Sequence, residues 1–346
     1  MFATGCDNAL SVMALKYNHD LTKRSDRVLV LGATGTIGRA TTAALVRRGY
    51  DVTCVTRPGA GTPDQQINLP GAEVVEADVT ESTSLYRTVF ANASFDAVIS
   101  CLASRNGAPN DAVAIDHHAT VGAINAAKAA GVANFVLLSA ICVQKPRLAF
   151  QHAKLAAEQA LVASGLTYSI VRPTAYFKSL SGQIARVQRG KPYLLFGDGE
   201  LTACTAISDR DLGEYLASCL ADPMLQNRIL PIGGPGPALT PRAQGEHLFS
   251  LLGRRPSFKH VPVGMMRGIV GALGAASRVL PPLSAKAEFA RIGLYYATES
   301  MLVLDPETGR YDRDATPSTG HDTLFDYYAA VINGDTTVER GEHSVF

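Results

Sequence analysis

From Arg27 onward two hydrophobic rhythms alternate along the chain. Short runs of β-branched residues and leucine (RVLVLG, DVTCVTR, AEVVEADV, FDAVISCLA, NFVLLSA and LTYSIVRP) predict strands. Between them, apolar residues recur every three or four positions and predict helices. These are TIGRATTAALVRRG, stopped by Gly49, then ESTSLYRTVFAN, DHHATVGAINAAKAAG, ending at Gly131, and HAKLAAEQALVASG. The strand runs are apolar at consecutive positions, so both faces are expected to be buried, as in a parallel sheet covered by helices. This alternation is the doubly wound α/β pattern.

After Pro173 the rhythm changes. KPYLLFGDGELTACTAIS reads as a hairpin with GDG as its turn. DRDLGEYLASCLAD reads as a helix capped by Asp209, and TPRAQGEHLFSLLG as a helix capped by Thr240 with Pro241 at its first position. NRILPIGGPG predicts a further strand and DTLFDYYAAVI an amphipathic helix. The expected organisation is a loose arm over 1–26, a nucleotide-binding domain over 27–173, a smaller mixed substrate-binding lobe over 174–332 and a polar tail over 333–346. The lobe is expected to return partly to the main sheet. The most apolar stretch, VGMMRGIVGALGAASRVLPP (263–282), is interrupted by Arg267 and Arg278. It is expected as a helix buried against the core, in preference to one lining an apolar pocket or resting on a membrane surface. No uninterrupted apolar segment is long enough to span a bilayer.

Composition narrows the function classes. The 346 residues hold 32 Lys and Arg against 31 Asp and Glu, a net charge of +1. That balance gives no support to nucleic-acid binding. The six cysteines, at 6, 54, 101, 142, 204 and 219, form no C-x-x-C pair. Zinc and disulfide frameworks are therefore disfavoured, and reduced thiols are expected. The first 26 residues show no basic-then-apolar leader pattern.

The candidate chemistry begins with LGATGTIGR, in which Gly32, Gly35 and Gly38 stand at G-x-x-G-x-x-G spacing between a strand and a helix. Gly32 and Gly35 are expected to adopt dihedrals that other residues avoid, letting the backbone approach a pyrophosphate. Gly38 lets helix and strand pack closely. The helix start at Thr36, Ile37 and Arg39, with Thr34 in the turn, then offers free N–H groups to the phosphates. This is the fingerprint of a Rossmann dinucleotide site. At the end of the second strand Arg57 replaces the carboxylate that would bind a ribose 2′-OH. Arg39 and Arg57 suit a 2′-phosphate, so NADPH is the expected cofactor. Asp78 and Val79 are placed at the adenine, and Ser100, Cys101 and Leu102 at the nicotinamide side. Ser139 ends the fifth strand, and Lys154 follows fifteen residues later at the start of a helix.

The chain resembles the atypical short-chain dehydrogenase/reductases, which carry GxxGxxG and often lack the family tyrosine. Within them it is similar to the NADPH-dependent 8-vinyl reductases of chlorophyll and bacteriochlorophyll synthesis. The resemblance is carried by LLSAICVQKP, FQHAKLAAE, SIVRPTAYFKSLSGQ, GKPYLLFGDGELTACTAISDRDL, LPIGGPGPALTP and YYATESMLVLDPETGRYD. These cover most of residues 27–328, and the second half is the more diagnostic.

The resemblance implies that NADPH reduces the C8 vinyl group of a 3,8-divinyl (proto)chlorophyllide to ethyl. It implies that Lys154 holds the nicotinamide ribose and that Ser139 occupies the catalytic serine position. In FQHAK, Phe150 stands where Tyr-x-x-x-Lys would place a phenol. Ketone reduction needs a proton on oxygen. A vinyl group has no oxygen, and its proton goes to carbon.

Phe150, Tyr176, Phe177 and Lys178 are the substrate-side candidates. Tyr176, Lys178, Tyr193, Cys142 and Lys145 are candidate proton donors. Lys178, Arg186 and Arg189 are placed to meet a propionate carboxylate. His247 and His260 are weak candidates for approaching the substrate's magnesium, and no metal-ligand spacing is present. The implied partner is a Mg-containing tetrapyrrole, with peripheral membrane or pathway-enzyme contact compatible with it. The implied location is a bacterial cytoplasm. Rival readings are an NADP-sensing regulator without turnover and another alkene or quinone reductase on the same fold.

Overall fold

In the computed structural model, the described residues are 26–59, 68–105 and 107–337. The arm before 26 and the tail from 338 lie outside the described residues. Seven strands form one sheet: β1 (Arg27–Leu31), β2 (Asp51–Thr56), β3 (Glu73–Glu76), β4 (Ala97–Ser100), β5 (Asn134–Leu138), β6 (Thr167–Pro173) and, later in the chain, β8 (Arg228–Ile232). Their order is β3-β2-β1-β4-β5-β6-β8, and every pairing is parallel. The strand order reverses between β1 and β4, which opens a crevice at their C-terminal ends.

The period of two along β1 shows why the runs are apolar throughout. Val28 and Val30 enter one core with helices Thr36–Arg47 and Asp209–Ala221. Leu29 and Leu31 enter another on the opposite face, with Leu85, Ala123, Ile124 and Leu161. A third core holds the lobe together through Phe177, Ile184, Val187, Tyr193, Leu195, Leu248, Phe249, Leu324 and Tyr328. A fourth, with Ile141, Cys142, Leu148, Ile292 and Tyr295, joins the helix Ser284–Thr298 to the segment after β5.

Three local expectations are corrected. The hairpin at 191–208 does not form. β7 (Tyr193–Phe196) instead pairs in parallel with β9 (Phe258–Val261). Gly197 and Gly199, both at positive φ, turn the chain away. The cap of Asp209–Ala221 is Ser208, whose hydroxyl accepts from Asp211 N, and Asp209 is the first helical residue. The stretch at 263–282 does form a helix, Val263–Val279, but none of its residues is buried. It packs along Ser284–Thr298 and leaves its other sides to solvent, because the sheet already has helices on both faces. Thr240 and Thr323 cap their helices through Ala243 N and Asp326 N.

Candidate active site

β1 delivers Gly32 at a φ of 74°, in the left-handed region. A Cβ on Gly32 would stand 2.7 Å from the Cys101 carbonyl oxygen, and one on Gly38 only 2.1 Å from the Gly32 carbonyl oxygen. Backbone sits against backbone at both places, so neither residue can carry a side chain. Gly35 differs from expectation. It is extended, with φ −72° and ψ 164°. An added Cβ would touch only Gly32 O, at 3.4 Å. Its bare surface therefore serves what lies outside the turn.

Gly35 is also the N-cap of Thr36–Arg47. It offers no side-chain cap, and the first turn holds no acid. Such an end favours an anion. Ile37 is anchored in the core, while Thr34 is exposed and its carbonyl accepts from Arg39 Nε at 2.9 Å.

At the adenosine end, Arg57 is exposed just beyond β2. Asp78 accepts from Thr80 N at 2.9 Å and Thr80 Oγ1 at 2.6 Å. These bonds, with the Arg57 charge adding less, hold its carboxyl below the ordinary range. Val79 is buried, so only its backbone can face a cofactor. The strand pairing also brings in Glu76, whose Oε2 accepts from Gly59 N at 3.4 Å.

At the nicotinamide end, Ser100 is fully buried and its hydroxyl has no partner among the described residues. Leu102, Ser139 and Lys154 line one small cavity with Asp116. Lys154 Nζ lies 3.0 Å from Asp116 Oδ1, with the two side chains 12% and 1% exposed. Asp116 Oδ1 also accepts from Ser104 N at 3.3 Å, whereas Oδ2 is buried without a partner among the described residues. Asp116 belongs to the π-helical stretch Ala112–Ala119, a kind of deviation that recurs at functional sites.

Ser139 donates to Glu158 Oε1 at 2.5 Å, and Glu158 is clamped by Arg172. Asp116, Glu158 and Arg172 escape a motif reading because they sit in ordinary helix and strand patterns. A turn with Gly32 left-handed and Gly35 bare, an uncapped helix end, and buried Ser100 and Asp116 oxygens without partners among the described residues together suit a dinucleotide, so the residues present fit NADPH.

Phe150 sits on helix Ala149–Ala163, one turn before Lys154. The helix starts where the Gln151 side chain accepts from Arg147 N and Leu148 N. Gly107, at φ 67°, lies so close that an added Cβ would be 2.9 Å from Ile292 Cδ1 and 3.5 Å from Phe150 Cδ1. Cys101 and Cys142 lie near Tyr176, and Cys142 and Tyr176 lie near Tyr296. Burial pushes the Cys101 thiol up to about 12 and raises Cys142 and both phenols. This wall is therefore neutral and protonated. Tyr296 O–H points at Cys142 Sγ, 4.0 Å away.

Lys178, from the lobe, donates to Thr36 Oγ1 at 3.1 Å. It meets the glycine turn, not an outer carboxylate. Phe177, expected at the substrate, is instead buried in the lobe core against Tyr327. Tyr193 is buried there too. Lys145 is held by Glu299 at 2.7 Å. Arg186 donates to Pro192 O and Arg189 to Ala185 O, so both brace backbone. His247 stacks on Phe325 with ring centroids 3.5 Å apart, and His260 Nδ1 bonds Gly197 O at 2.8 Å.

Comparison with known proteins agrees with this geometry. An NAD(P)H-binding family model matches residues 32–223. A divinyl chlorophyllide a 8-vinyl-reductase of Oryza sativa subsp. indica is 49% identical over 331 residues, covering 92% of this chain and 82% of the relative. That of Arabidopsis thaliana is 48% identical over 330 residues, with 91% and 79% covered. A solved NADPH-dependent quinone oxidoreductase of Escherichia coli, complexed with NADPH, superposes with a TM-score of 0.64. It is 18% identical over 88% of this chain and all of its own, a likeness of fold alone. With a glycine turn built for a dinucleotide and nearly half its residues shared along almost its whole length, the chain belongs to the divinyl chlorophyllide a 8-vinyl-reductase family.

Proposed function

We propose that the protein reduces the C8 vinyl group of a 3,8-divinyl (proto)chlorophyllide to ethyl with NADPH. The observation that carries this reading is a phenyl ring, Phe150, one helical turn from the Asp116-paired ammonium of Lys154. The 49% identity to a named 8-vinyl-reductase supports the substrate. We take residues 27–173 as the cofactor-binding part and 174–332 as the substrate-binding part.

When bound, NADPH supplies the hydride. Gly32, Gly35 and the start of Thr36–Arg47 hold its pyrophosphate, with Lys178 adding charge at Thr36. Arg39 and Arg57 hold the 2′-phosphate, and Asp78 with the Val79 backbone borders the adenine. Ser100, Cys101 and Leu102 border the nicotinamide. Lys154 holds the ribose hydroxyls and keeps positive charge near the reacting atoms. Ser139 closes the end of β5.

Phe150, Tyr176 and the neutral thiols form the flat apolar wall that a tetrapyrrole needs. They place no charged group against its carbon–carbon bond. Tyr176 and Cys142 remain the candidate donors for the proton that goes to carbon, and Lys178 is set aside because it bonds Thr36 Oγ1. Tyr193 is set aside because it is buried in the lobe core, and Lys145 because it is ion-paired with Glu299. The relatives' names place them in chloroplasts. The corresponding compartment we infer is a bacterial cytoplasm, at the face of a photosynthetic membrane. Among the described residues no helix is long and apolar enough to cross a membrane.

The test is purified protein with NADPH and divinyl protochlorophyllide, followed by absorption and mass. A gain of two hydrogens is expected. Cofactor binding without product would make the chain a sensor, and NADPH consumption only with quinones would make it a quinone reductase.

A further inference from the structure

The helical pair Val263–Val279 and Ser284–Thr298 carries surface that the reaction does not use. Met265 is 52% exposed, Ile269 49% and Val279 79%, followed by Leu280 at 56% and, on the second helix, Phe289 at 41%. Met265, Ile269, Ala272 and Val279 recur at intervals of four, three and seven, so they form one stripe. The half-buried Met266, Val270 and Leu273 form another. Arg267 and Arg278, eleven positions apart, share a third. The apolar stripe is therefore not the packing face of the helix. It is additional greasy surface turned to water.

Along this stretch of the sequence the charge has one sign. Between His247 and Ala287 the sequence holds six basic residues, Arg254, Arg255, Lys259, Arg267, Arg278 and Lys286, and no Asp or Glu. The chain as a whole carries only +1. Of the acids that bound this stretch, Glu246 is exposed, and Glu288 is buried and bonded to Arg291 and to Ala149 N. An apolar stripe on a helix whose only charged residues are Arg267 and Arg278 fits an anionic lipid surface. The apolar side chains enter the headgroup boundary and the cations meet the phosphates. A twofold contact of this face with a second copy would set cations against cations.

We propose that this helical pair docks the protein on anionic lipid and holds the mouth of the active site at the bilayer surface. The second helix ties the two together, because Glu288 accepts from Ala149 N and Ile292 packs beside Phe150. The doorway half of the proposal rests on the tetrapyrrole reading above. The docking half does not.

The test is flotation of the full chain with vesicles of phosphatidylcholine alone and of phosphatidylcholine mixed with phosphatidylglycerol. The expected result is salt-sensitive binding to the second kind, weakened about tenfold or more in a Met265→Glu, Ile269→Glu double variant. Reduction of detergent-dispersed substrate should be unchanged in that variant. Absence of binding to the anionic vesicles at low salt overturns the proposal. So does equal binding by the variant, or a dimer in solution that the variant dissolves. Vesicle binding without vinyl reduction would instead sink the reaction and leave the docking standing.

Discussion

Removing the carboxylate of Asp116 should expose how far Lys154 depends on it. At 3.0 Å, two unit charges attract by about 5 kcal/mol at an effective dielectric of about 20. Desolvation offsets part of this attraction. What matters for a variant is the charge left behind, since breaking a buried pair costs about 3–5 kcal/mol. Lys154 retains 12% exposure, which places Asp116→Ala near the lower end, at about 3 kcal/mol. The Ser104 N–H, which also loses its acceptor, adds to that.

Lys154→Met should cost a similar amount, because it strands the carboxylate instead. The double variant strands neither charge. It should therefore cost less than the sum of the singles, by about 2 kcal/mol or more. Urea unfolding of the four proteins, without cofactor, measures the cycle. Additivity within about 0.5 kcal/mol would refute the coupling and reduce Asp116 to an ordinary core residue.

Four further outcomes follow from the site and its surroundings. Arg57→Ser should weaken NADPH binding about tenfold or more and leave NADH little changed, as read by nicotinamide fluorescence titration. Equal losses for both cofactors would remove Arg57 from the 2′-phosphate. Gly38→Ala puts a Cβ 2.1 Å from the Gly32 carbonyl oxygen, so thermal melting should show loss of the fold or NADPH titration loss of binding. Phe150→Tyr should bind NADPH normally and gain little in vinyl reduction. A large gain would mean the reaction wanted the phenol after all. The thiols of Cys101, Cys204 and Cys219 are pushed from 9.0 up to about 12 by burial. A raised folded value favours the neutral thiol, so this stability is fully present below pH 9 and is lost as pH rises toward 12. Urea midpoints should fall across that window, and a flat profile would count against buried thiols.

The sequence by itself determined the main architecture. The inner strands were largely apolar runs, β1 wholly so after Arg27, while the edge strand β3 (EVVE) is mostly exposed, and each covering helix had its own period. Such signals are local, because a strand buried on both faces must be apolar at every position. Gly32 and Gly38 were legible for the same reason, since a tight strand–turn–helix leaves no room for a Cβ. Gly35 was expected at dihedrals that other residues avoid, but it is extended in the structure.

What only the tertiary structure decided were partnerships between distant segments. Lys154 could be named from its spacing to Ser139, but Asp116 reaches it from another helix, and Glu158 with Arg172 takes the Ser139 hydroxyl. Lys178 crosses from the lobe to Thr36. β7 pairs with β9 more than sixty residues away, against the hairpin that its GDG turn suggested. The helix Val263–Val279 has the apolar content of a core helix, and its composition alone points inward. It is exposed because its neighbours offer it only one packing face, and no local pattern records how many faces of a helix the rest of the fold will cover.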